Sequence, residues 1–157
     1  MLNIDVLSER FRVMISTYIH RFGLGYVGAY WIPQATEVSD WADYLSILTT
    51  TLNREGQRPV HMWIRSGEDC LLVLCVNGYF RSNMDDITDI MQRLWVRRTT
   101  GGLPELVLMQ RADPAVVGEV ISGVRGILER LPVLHKRPYR QRGFGCSLFS
   151  PVDGVAA

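Results

Sequence analysis

Apolar residues recur at the spacing of an amphipathic helix in four stretches of the chain. The pattern predicts helices over 4–20, 39–55, 83–98 and 114–131, and a glycine or proline follows each of them as a stop signal. The side chains expected on the buried faces are Val6, Phe11, Met14, Ile15, Tyr18 and Ile19 in the first helix, Trp41, Tyr44, Leu45, Leu48 and Leu52 in the second, and Val117, Val120, Ile121, Val124, Ile127 and Leu128 in the last. Acidic residues precede basic ones along the third helix, an order that complements the helix dipole.

Shorter apolar stretches between these helices have the composition of β-strands. They cover 24–33, 59–66, 70–77 and 105–110 and are rich in β-branched and aromatic residues. The turn-forming run Ser-Gly-Glu-Asp should join the second and third strands as a hairpin. The segment CLLVLCV is apolar without interruption, which is typical of a central strand covered on both faces. Leu72, Leu74 and Val76 should be buried on one face, and Leu71, Val73 and Cys75 largely buried on the other.

The order of these elements is helix, strand, helix, strand, strand, helix, strand, helix. Its central βαββαβ portion is the split βαβ pattern, which forms a four-stranded antiparallel sheet with helices over one face. The sequence therefore predicts the α+β class and a ferredoxin-like arrangement with additional N-terminal and C-terminal helices. We expect residues 1–157 to form a single domain, in which 133–157 are a basic, glycine-containing C-terminal segment.

Composition narrows the class of protein without identifying a partner. Of the 157 residues, 47% are hydrophobic and 21% are charged, which is typical of a globular domain. The formal net charge of +1 favours neither nucleic acid nor an anionic membrane. No apolar run reaches the roughly 18 residues of a membrane span, so we expect a soluble protein of the cytoplasm with no membrane partner. Three cysteines without a CxxC pair are expected to be reduced thiols.

Familiar signatures of enzymes and cofactor sites do not occur in the sequence. No GxGxxG leads into a helix, and no GxSxG motif positions a serine. His20, His61 and His135 are far apart along the chain, and a structural or surface role is expected for each, because metal sites require clusters. Cys146 lacks a histidine placed to activate it. We therefore predict no catalytic residues, no metal site and no cofactor.

The most specific candidate binding site in the sequence is a basic stretch near the C-terminus. Lys136, Arg137, Arg140 and Arg142 fall within seven residues, with Tyr139 among them. Basic side chains around an aromatic ring suit the phosphates and an unstacked base of a nucleic acid. The same stretch also fits a solvated basic tail or the docking site of an acidic protein. These five residues are the predicted binding residues, for a protein partner or for nucleic acid.

Two segments resemble the inovirus replication-protein-like family (YagK/YfjJ), a family of phages and mobile elements. The first is RPVHMWIRSGEDCLLVLCVN, in which 63–65 match the triplet that ends one strand of the family and 71–77 match the strand after the hairpin. The second is RQRGFGCS, in which 144–147 match the closing Phe-Gly-Cys-Ser segment. The resemblance covers about residues 24–148. It implies an HUH-like sheet and the activity of a rolling-circle initiator, in which two strand histidines hold a divalent metal and a helix tyrosine attacks the phosphate.

The positions that carry this chemistry in the family hold other residues here. The run Asp-Cys-Leu-Leu at 69–72 stands where the two histidines are expected, and the last predicted helix contains no tyrosine. Tyr139 follows Pro138, which disfavours a helix at that point. We therefore expect a domain of this fold that is not an enzyme.

The resemblance and the missing catalytic groups together lead to two functional hypotheses. In the first, which we favour, the protein is a non-catalytic phage or mobile-element product that evades host defence as an anti-CRISPR-type inhibitor. It would bind a host protein complex that handles nucleic acid, by protein–protein contact inside the host cell. In the second, it is a DNA-binding replication or regulatory factor that uses the basic C-terminal stretch. The sequence leaves open whether two copies form a homodimer through sheet edges or helices.

Overall fold

The computed structural model describes residues 3–33, 38–66, 69–77, 84–97, 102–134 and 146–149. The helices are α1 (Ile4–Phe22), α2 (Val38–Arg54), α3 (Met84–Val96) and α4 (Val117–Leu134), the last preceded by a single 3-10 turn at Pro114–Val116. The strands are β1 (Gly25–Ile32), β2 (Val60–Ser66), β3 (Asp69–Asn77), β4 (Glu105–Ala112) and β5 (Cys146–Phe149). Helices combined with an antiparallel sheet confirm the predicted α+β class.

The described strands form one sheet in the order β4-β1-β3-β2-β5. The first four strands are arranged as the predicted βαββαβ pattern requires, each antiparallel to its neighbours. β2 and β3 form the expected hairpin, in which Ser66 lies opposite Asp69, and β3 occupies the centre of the sheet. The sequence pattern does not predict β5, because a strand of four residues inside a basic, glycine-containing segment is too short to show an alternation.

Two helical layers cover opposite faces of the sheet. α2 and α3 pack over Leu72, Leu74 and Val76, whereas α1 and α4 pack over Leu71, Val73 and Cys75. All six side chains are at most 1% exposed, which confirms the prediction for both faces of β3. The helices at the two ends of the βαββαβ unit thus close the face that the unit alone would leave open. None of the described helices is long and apolar enough to cross a membrane.

The predicted helix faces are buried with one clear exception, at the start of α1. Val6 is 52% exposed, and Leu7 is buried in its place. The helix begins at Ile4, and the side chain of Asn3 caps it by accepting a hydrogen bond from the Val6 backbone N–H at 3.1 Å. Position 7 lies one full turn before Phe11 and therefore faces the sheet, whereas position 6 does not.

The ends of α1 and α4 lie beyond the predicted ones. α1 continues to Phe22, two residues past the predicted end at 20, and Gly23 then ends it: its φ is 87° and its N–H donates to the Ile19 carbonyl at 2.8 Å. α4 does not stop before Pro132 but continues to Leu134. A proline removes one intrahelical donor and crowds the preceding turn. Because Pro132 lies in the last turn of α4, few bonds are affected and the helix continues through it.

Candidate functional site

The first half of β3, residues 69–72, is where the resemblance places catalytic metal ligands, and apart from Asp69 the side chains there are apolar. From Cys70 to Val76 every residue is at most 1% exposed. β1 and β2 flank the strand, and helices cover both of its faces. A phosphate or a hydrated cation could reach this strand only by displacing the core, at a large desolvation cost. The strand therefore has a structural role in this fold.

Polar side chains lie next to this strand, on β2 and at the start of β3. His61, Trp63 and Arg65 lie on the same face of β2, the face that α2 and α3 cover. Asp69 begins β3. His61 is 6% exposed and Asp69 1%, and His61, Arg65 and Asp69 each have an interaction partner. His20 is exposed near the end of α1. Within the described ranges, no three His, Cys, Asp or Glu side chains come together as a metal site requires.

The described helices carry two tyrosines, and both hydroxyls are engaged inside the protein. Tyr18 of α1 is 1% exposed and donates to Asn77 Oδ1 at 3.2 Å. Burial raises the pKa of Tyr18, because a phenolate there would lose its hydration. Tyr44 of α2 donates to the Met91 backbone oxygen at 3.0 Å. Both tyrosines are therefore buried and hydrogen-bonded inside the protein.

Cys70 and Cys75 of β3 are free thiols, as the sequence predicts. Both are fully buried, and burial raises the pKa of each thiol because a thiolate would lose its hydration. At Cys70 the charge of Arg65 opposes this rise in pKa without cancelling it. A thiol that is held neutral is a poor nucleophile, so neither cysteine is suited to catalysis. Of Cys146, the structure describes only the backbone, in β5.

We expect the two buried thiols to be unreactive and to make the protein less stable at alkaline pH. Cys70 and Cys75 should resist iodoacetamide in the native protein and react in urea, as peptide mass spectrometry would show.

Because the pKa of each thiol is raised by folding, the unfolded chain loses these protons first, above about pH 8.5. The stabilisation is therefore complete below that pH, and stability should fall by about 1.4 kcal/mol per thiol by pH 9.5. Cys75→Ala should remove about half of this fall, and a urea midpoint that stays constant would contradict the prediction.

The structure brings three of the four tryptophans into one aromatic cluster. Trp41 lies at the centre of this cluster. The distance from its ring centroid to that of the neighbouring ring is 5.5 Å for Tyr44, 5.1 Å for Trp63 and 5.8 Å for Trp95. These four rings belong to α2, β2 and α3 and are at most 6% exposed. These three tryptophans are therefore core residues, as the sequence predicts for Trp41, and they join the two helices of this face to the sheet.

The five predicted binding residues, Lys136, Arg137, Tyr139, Arg140 and Arg142, lie outside the described residues. The described surface also carries a set of exposed apolar side chains, which the sequence pattern does not predict. They are Val6, Val13, Leu24, Val96, Leu103 and Met109. A sequence signal exists for the last of them, the apolar run 106–109 of β4. Periodicity alone predicts a strand for this run but does not distinguish a core strand from an edge strand.

Comparison with known proteins identifies no relative of this chain. No protein-family model matches it, and no curated protein or solved structure is significantly similar to it. The resemblance to the replication-protein-like family therefore rests on the two quoted segments. The fold rests on the sheet order and helix packing described above.

Proposed function

We propose that this protein is a non-catalytic binding protein, specifically an anti-CRISPR-type inhibitor that contacts a host complex handling nucleic acid. The observation that carries the proposal is the apolar centre of β3, enclosed by helices on both faces. The hydroxyls of Tyr18 and Tyr44 on the described helices are enclosed as well. A replication domain that kept this fold without its metal ligands and nucleophile would act through its surface.

Both faces of the sheet are closed, which limits how nucleic acid could bind. In RNA-recognition modules built on a four-stranded sheet, aromatic side chains of an open face stack on bases. Here the strand residues Tyr30, Trp31 and Trp63 are at most 7% exposed. In the described part of the chain, the surfaces that remain for binding are therefore those of the helices and the edges of the sheet. Such surfaces suit protein partners.

The charges on the described helices are of both signs. α3 begins with exposed Asp85 and Asp86 and ends with exposed Arg93. On α1, Glu9 and Arg12 form an exposed ion pair at 3.4 Å. A phosphate backbone is bound best by a continuous basic track, whereas charges of both signs suit the surface of another protein. This distribution supports an inhibitor that acts by protein–protein contact.

A DNA-binding replication or regulatory factor is the second candidate, and the basic C-terminal stretch is the observation that favours it. Lys136, Arg137, Arg140 and Arg142 supply four cations within seven residues. If all four contact phosphates, the affinity for DNA should fall with salt at a log–log slope of about −3 to −4. An inhibitor that contacts protein has no such requirement.

Two binding measurements separate these candidates. Under the inhibitor proposal, the protein should co-elute with a purified RNA-guided effector complex and slow its target cleavage, while a labelled oligonucleotide shows no salt-sensitive binding. A variant with the four basic residues of the C-terminal stretch changed to alanine tests the role of this stretch. Under the inhibitor proposal, the variant should no longer inhibit the effector complex if this stretch is the contact site. Under the second candidate, the variant should lose its affinity for DNA. Salt-sensitive DNA binding without any effect on effector complexes would refute the inhibitor.

A further inference from the structure

We draw no further inference here: the strongest candidate, the outer flank of α1 with the exposed side chains of Val6 and Val13, is an apolar helix face, and nothing in the part of the chain that the structure describes shows what covers it.

Discussion

Replacing Trp41 with alanine should lower the free energy of unfolding by about 3–5 kcal/mol, the usual range for truncating a buried aromatic side chain. Trp41 is 1% exposed, and its ring contacts Tyr44, Trp63 and Trp95. Its removal leaves a cavity where α2, α3 and β2 meet, and three favourable ring contacts are lost with it. In a chain of this length the melting temperature should fall by roughly 6–20 °C. Thermal unfolding followed by circular dichroism measures this change.

Trp41→Phe is the matched control, because it keeps an aromatic ring at the same position. The Nε1 of Trp41 is buried without a hydrogen-bond partner, as is that of Trp95. A buried donor without an acceptor carries a desolvation cost, which phenylalanine removes while it leaves a smaller cavity. We expect this variant to lose only about 1 kcal/mol. If Trp41→Ala melted at the temperature of the parent, the packing of the aromatic cluster would be refuted.

Replacing Gly25 with alanine should be about as damaging, although it adds only one methyl group. Gly25 begins β1 opposite Asn77 of β3, and a Cβ there would collide with the backbone carbonyl oxygen of Val76. A backbone atom inside a sheet cannot rotate away as a side chain can, so the two strands must separate at this end. We expect a loss of about 3 kcal/mol, at the upper end of the range for overpacking. Urea denaturation gives the value.

Gly126→Ala is the control for this substitution, and its expected effect has the opposite sign. Gly126 lies inside α4, and no neighbouring group lies within 4 Å of an added Cβ. Alanine is more favourable than glycine within a helix by about 1 kcal/mol, so this variant should be more stable than the parent. A neutral Gly25→Ala would show that β1 does not approach β3 as closely as described at that position.

Local periodicity was sufficient to predict most elements and their buried sides. The faces of α2 and α4 and the two faces of β3 follow directly from the sequence, because burial repeats every 3.6 residues in a helix and every two in a strand. The expectation for Val6 was wrong although the spacing could have corrected it, because Leu7, one full turn before Phe11, is in phase with the buried face and Val6 is not. Pro132 shows a limit of this reasoning, since a proline in the last turn disturbs too few bonds to end a helix.

The candidate site could be predicted from the sequence only in part. That residues 69–72 include no histidine is visible in the sequence, but the enclosure of that strand depends on α1 and α4 docking on the second face. The assembly of the aromatic cluster was not predictable either, because Trp41, Trp63 and Trp95 are distant along the chain and belong to three elements. The basic C-terminal stretch stays a prediction, since it lies outside the described residues.

The sequence by itself determined the type and order of the four helices and of β1 to β4, the central position of β3 and the burial of its two faces. These properties follow from spacings between residues that are close along the chain. Only the tertiary structure decided that α1 and α4 cover the second face, that β1 approaches β3 closely at Gly25 and that β4 lies at an edge of the sheet formed by the described strands, with Met109 exposed. Each of these depends on which distant segments pack together, and a local pattern of polar and apolar residues is compatible with more than one such packing.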